Sequence, residues 1–158
     1  GGRPGVGIEG LDPGSVWARA GAWPLLELLR DEGRGLDGWR RWGRHRESVL
    51  HAWTVAPESP EKHRFLARAL DAGLSVDEPD AAGRTPLWYA IDAWLARPDQ
   101  AAASDWKATI RALLAAGADP DRAAADGSSP AELPVLTEAE PALADAIAEL
   151  FAAPLPPA

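Results

Sequence analysis

Gly83-Arg-Thr-Pro-Leu-Trp-Tyr-Ala90 decides how this chain is read. It opens with a residue that tolerates a left-handed turn. It continues with a hydroxyl that can cap a helix and a proline placed where a helix has no use for its first N–H. Just upstream lies Asp71-Ala-Gly-Leu-Ser-Val-Asp77, and 44 residues later Ala115-Ala-Gly-Ala-Asp-Pro-Asp121 leads into Gly127-Ser-Ser-Pro-Ala131. Gly73 pairs with Gly117, Asp77 with Asp121, Gly83 with Gly127, and Thr85-Pro86 with Ser129-Pro130. A further copy lies 40 residues upstream, where Gly33, Asp37 and Gly43 precede Gly73, Asp77 and Gly83 by one offset. In each copy an apolar helical stretch, such as Ile110-Arg-Ala-Leu-Leu-Ala-Ala116, runs into glycine, the residue that ends helices in the left-handed conformation. The order is helix, Gly stop, extended finger, Thr-Pro or Ser-Pro start, helix.

That order and those residues resemble the ankyrin repeat family. Residues 83–90 look like its Gly-x-Thr-Pro-Leu-His-x-Ala signature with Trp88 in the His position, and Leu113-Leu-Ala-Ala-Gly-Ala-Asp-Pro-Asp121 resembles its helix-ending segment. Ser48-Val-Leu-His51 resembles the same helix start, with Trp53 where a small Ala is usual and three extra residues before Ser48; in the last copy Pro134 replaces the Ala. The resemblance implies an all-α fold, a short ankyrin-type α-solenoid of about three to four helix-turn-helix repeats with finger loops. The repeat domain is expected over 12–153, with repeats at about 12–37, 38–77, 78–121 and 122–153. A flexible N-terminal segment is expected at 1–11 and a Pro-rich tail at 154–158.

Within these limits Asp12-Pro13 opens the first inner helix (Val16 to Ala20), and Pro24 to Glu32 forms the outer one. Ser59-Pro60 and Ser104 open the outer helices of the second and third repeats, and Thr137-Glu-Ala-Glu140 has capping-box spacing before the last helix. The second and third repeats, at about 40 and 44 residues, exceed the roughly 33 residues usual for the family. In the third the surplus, Leu95 to Ala103, falls between the two helices as an enlarged loop.

Composition bounds the function. The 158 residues are 46% apolar and 25% charged, as in globular proteins, and no run approaches the roughly 20 apolar residues of a membrane span. Cysteine is absent, which excludes disulfides and thiolate zinc sites and suits a reducing compartment; a cytoplasmic location is expected. Methionine is absent too, so the chain is expected to begin after a removed segment or to belong to a longer protein, with Gly1 and Gly2 as scar residues. A net charge of −8 argues against general nucleic-acid binding. The charge is uneven: Arg34 to Arg46 holds five Arg against one Asp, and Ala112 to Ala158 one base against eight acids.

No catalytic pattern is present. His45, His51 and His63 form no i, i+4 zinc pair, and no nucleophile elbow, Walker loop or dinucleotide fingerprint occurs. No catalytic residue, metal or cofactor is assigned, and His51 reads as a structural imidazole. Trp17, Trp53, Trp88 and Trp94 fall in helix patterns and read as core. Trp39 and Trp42 interleave with Arg40, Arg41, Arg44 and Arg46 in the second finger. They read either as exposed anchors for a partner, the residue types enriched at hot spots, or as rings tucked under the finger.

The ankyrin resemblance implies a partner surface on the finger tips and inner helices. By position it adds Ala81, Ala82, Arg84, Tyr89 and Asp92 from the third repeat, and Asp126 and Ser128 from the fourth. The expected function is a non-catalytic protein-protein interaction module with a protein partner, and neither nucleic acid nor membrane. The alternative is a bacterial immunity or antitoxin protein that occludes a basic toxin. An enzyme with a site outside these patterns is the third class.

Overall fold

The computed structural model describes residues 13–29, 39–40, 42–97 and 103–152. These form α1 (Pro13–Ala20), α2 (Trp23–Leu29), α3 (Val49–Trp53), α4 (Pro60–Asp71), α5 (Pro86–Ala96), α6 (Ala103–Ala115), a 3₁₀ turn (Pro130–Glu132), α7 (Leu133–Leu136) and α8 (Pro141–Ala152). Among the described residues there is no strand, only an isolated antiparallel bridge between Trp42 and Glu47. The chain divides into two compact halves, 1–74 and 75–158. The fold is an all-α, ankyrin-type repeat fold. The expected segments 1–11 and 154–158, the first finger around Gly33 and Asp37, the end of the first outer helix at Glu32, and residues 98–102 of the long loop lie outside the described residues.

The helix starts follow from local chemistry. Ser48 caps α3 by accepting from Leu50 N–H, and His51 closes a capping box with its Nδ1 on Ser48 N–H at 2.9 Å. Ser59 accepts from Lys62 N–H at the head of α4 and Thr85 from Trp88 N–H at the head of α5, each followed by Pro at the first helical position. The stops are equally regular. Leu74 N–H bonds Ala69 O and Gly73 N–H bonds Leu70 O; Ala118 and Gly117 repeat the pair on Leu113 O and Leu114 O. Both glycines have positive φ, 114° and 99°, so each is the left-handed residue of a Schellman cap.

Three expected starts differ. Ser104 lies inside α6, one residue past its first. Ser129 has the extended backbone of a cap, but its hydroxyl donates to Glu132 Oε1 instead of accepting from a backbone N–H. Thr137 ends α7 instead of starting α8: its Oγ1 donates back to Leu133 O at 2.7 Å, satisfying a terminal carbonyl. The turn after it is another Schellman cap, Ala139 N–H to Pro134 O and Glu138 N–H to Val135 O, with Glu138 at φ 54° taking the left-handed place that glycine holds in the caps after α1, α4 and α6.

In the N-terminal half α1 packs on α2 and α3, and α4 packs on α2 and α3. Aromatic rings fill the space: Trp23 stacks on Phe65 at 4.7 Å and Trp39 tilts against it at 5.0 Å. Trp53, where the family has a small residue, is fully buried, and its Nε1 donates to Lys62 O. The Lys62 ammonium lies over that ring at 4.9 Å and donates to Ala56 O at 2.9 Å, so the buried cation is met by carbonyls just past α3. The C-terminal half uses Leu87, Ile91, Trp94, Ile110, Leu113, Leu133, Ile147 and Leu150, with α5 between α6 and α7, and α8 against α6 and α7.

Candidate partner-binding face

The third and fourth fingers are copies of one turn. Asp80 N–H bonds Arg84 O and Gly83 N–H bonds Asp80 O, each at 3.0 Å; the same bonds recur 44 residues on, Ala124 to Ser128 O and Gly127 to Ala124 O. Each finger is locked by a carboxylate. Asp80 Oδ1 accepts from Ala82 and Arg84 N–H, while Asp126 Oδ1 accepts from Ser128 N–H and Oγ. The two fingers are tied by Ala125 N–H to Ala82 O at 2.7 Å and by Asp119 N–H to Asp77 Oδ1 at 3.1 Å. This close approach explains Gly83: at φ 76° a Cβ there would be strained and would stand 3.2 Å from Ala125 N.

On this frame sits a polar constellation. The Arg84 guanidinium lies over the Trp88 ring at 4.5 Å. Trp88 Nε1 donates to Ser128 Oγ at 3.0 Å, and Ser128 Oγ donates onward to Asp126 Oδ1 at 2.6 Å, so the platform under Arg84 is oriented from the neighbouring finger. The Tyr89 hydroxyl donates to Asp80 Oδ2. Asp92, one turn further along α5, is half-buried; desolvation raises its carboxyl above the usual range while Arg84 pulls it down. Asp126 is held below the usual range, first by the Ser128 hydroxyl, then by Ser128 N–H, with Arg84 adding to the effect.

Of the residues expected here, Arg84, Tyr89, Asp92, Asp126 and Ser128 thus belong to one neighbourhood, with Ser128 itself buried. Ala81 is exposed, and Ala82 serves through its carbonyl. Sequence reading missed Asp80 as the lock and Trp88 as the platform. The signal for Trp88 was its place in the signature's His position, and a tryptophan there needs an acceptor elsewhere.

The second finger differs from expectation. Trp42 and Glu47 exchange both backbone bonds, leaving Gly43, Arg44, His45 and Arg46 exposed at the tip. Trp39 and Trp42, assigned to the partner surface with a tucked position as the alternative, take the tucked one, at 0% and 5% exposed. Trp39 Nε1 donates to Leu26 O at 2.8 Å, so its one polar group is also satisfied inside the half. Burial, for Trp39 against Phe65 and α2, wins over exposure because each ring removes a large apolar area from water. Arg40 is half-buried, and Arg41 lies outside the described residues.

Among the described residues no group of three or more His, Asp or Glu could hold a metal ion, and no helix is long and apolar enough to cross a membrane.

The fold is ankyrin-repeat-like, and comparison with known structures agrees. Solved structures that match include the ankyrin repeat domain of Bcl-3, described as a unique member of the IkappaB protein family, at 22% identity and a TM-score of 0.56. The match covers 90% of this chain but 57% of that one, so the chain spans little more than half its length. No protein-family model and no curated protein matches.

Proposed function

We propose that the chain is a non-catalytic protein-interaction module whose partner seats on the third and fourth fingers and the inner helices beside them. The observation that carries this reading is the ordered relay Arg84, Trp88, Ser128, Asp126. Charged and aromatic groups are held in place before any partner arrives, which reduces the side-chain entropy lost on binding. Arg84, Tyr89, Asp92 and Asp126 are the contact residues, with Ala81 and Ala82 at the finger tip and Ser128 positioning Trp88. The second finger offers Arg44 and Arg46, exposed at its tip, with the half-buried Arg40, as a separate basic surface to which the sequence adds Arg41; Trp39 and Trp42 hold it from within.

A second reading, an immunity-type inhibitor of a basic toxin, draws on charge. Residues 75–158 carry 14 acids against 5 bases, a net −9, while residues 1–74 carry 10 against 11, a net +1, so the acidity of the chain belongs to the C-terminal half.

The test uses a partner captured from the source cell, with affinity per folded molecule and melting temperature measured on the same variants. Arg84→Ala should weaken binding by about 2 kcal/mol, the size of a hot-spot truncation. Trp42→Ala should lower the melting temperature and leave the affinity of the folded fraction unchanged. The reverse pattern would return the anchors to the second finger.

A further inference from the structure

The last repeat leaves an apolar helix face open. On α7, Val135 is 79% exposed and Leu136 58%, although both are large aliphatic residues. The 44-residue register makes the exposure specific: Val135 stands where Ile91, 0% exposed, stands one repeat earlier, and Leu136 stands where Asp92 does. Packing of α7 against α5 places this pair beside the helix that carries Tyr89 and Asp92. The chain around the pair is of one sign. From Ala123 to Ala158 there are six carboxylates and no Lys or Arg. Glu132, Glu138 and Glu140, all exposed, flank α7, and Asp126 is exposed on the adjoining finger.

We infer that the open face of α7, with its acidic surround, docks a basic segment of a partner protein in which Lys or Arg residues alternate with aliphatic or aromatic anchors. An apolar centre with a charged rim is the arrangement of a protein interface, and the sign of the rim selects the sign of the occupant. A second copy of this chain would meet carboxylates with carboxylates at the same patch, an unfavourable encounter. The inference rests on the interaction-module reading and names the chemistry of the partner.

The experiment places a photo-crosslinking p-benzoylphenylalanine at Leu136 in the full chain and, separately, at Arg44 on the second finger. Each protein is irradiated in source-cell extract and the attached segment is sequenced. The expected product at position 136 is a segment carrying several Lys or Arg around apolar residues. A synthetic copy of that segment should bind the chain more weakly as salt rises. It should bind about tenfold or more weakly to Leu136→Ser and to the combined variant Glu132→Gln, Glu140→Gln. Circular dichroism of the variants should match that of the parent, since all three side chains are exposed. An acidic or neutral segment, a crosslink between two copies, or binding indifferent to salt and to these substitutions would overturn the inference. Capture at Arg44 alone would overturn it while leaving the interaction module standing, and no capture at either position would remove both.

Discussion

His51 and Trp88 occupy the same slot, the third residue of an inner helix after a hydroxyl cap, and they solve it in opposite ways. The His51 ring accepts from Ser48 N–H and closes the turn on itself. An indole can only donate, so Trp88 cannot close that box. It reaches instead to Ser128, 40 residues on, and couples its helix to the next finger. The slot is a repeat property, but what fills it decides whether a repeat is self-contained or tied to its neighbour. In the N-terminal half Trp23, Trp39, Trp42, Trp53 and Phe65 are buried, whereas the C-terminal half uses its buried tryptophan slot to tie α5 to the next finger.

The largest test of this contrast lies in the N-terminal half. Trp39→Ala removes a fully buried ring and its bond to Leu26 O, and should cost about 3–5 kcal/mol in denaturant melts. A change below about 1 kcal/mol would mean that the ring is not core.

Next in size is Ser128→Ala, which strands the Trp88 N–H and should cost about 1–3 kcal/mol. In a Trp88→His background the same substitution should cost less, because His can close its own box on Thr85. Equal losses in both backgrounds would show that Trp88 and Ser128 are not coupled.

The helix stops compare a glycine with a glutamate. Gly117→Ala should cost about 1 kcal/mol at its φ of 99°, where nothing crowds a Cβ and only backbone strain acts. Glu138→Gly should do the opposite and relieve the strain at φ 54° by a similar or smaller amount. A destabilised glycine variant would place the value of Glu138 in its side chain.

The smallest effects concern pH. Asp92 has a raised carboxyl pKa, so the folded state holds its proton more tightly than the unfolded chain does, and stability is lost as pH rises from the ordinary carboxylate range through the raised value. Asp92→Asn should therefore gain on the parent above about pH 4 and keep that gain at neutrality. Asp126 is lowered, so its contribution is present at neutral pH and fades as pH falls through the lowered value; Asp126→Asn should lose most at neutrality and match the parent in strong acid. Parallel pH profiles for the two variants would contradict these opposed environments.

What was legible in the sequence was local. Gly73 and Gly117, Ser48, Ser59 and Thr85 each act within a few residues of themselves, so spacing alone placed them. Thr137 and Ser129 misled because a hydroxyl can donate as well as accept: Thr137 closes the helix behind it, and Ser129 gives its proton to Glu132. Glu138 went unread because a left-handed cap without glycine leaves no mark. Trp39 and Trp42 were open between surface and core because the decision is made at a distance, Trp39 by Phe65 and the Leu26 carbonyl. Of the candidate face, Arg84, Tyr89, Asp92, Asp126 and Ser128 were proposed from the ankyrin resemblance, while the relay through Trp88 required knowing that the two fingers touch.

In the proposed function, recognition resides on the fingers and inner helices of the C-terminal half, while the second finger's buried tryptophans serve the fold. Hydrogen exchange on the full chain, with and without its captured partner, tests it most directly. Backbone amides over 80–93 and 124–136 should gain protection in the complex, and those of α4 and α8 should not change. Protection confined to α4 and α8, with the third and fourth fingers exchanging as before, would contradict it.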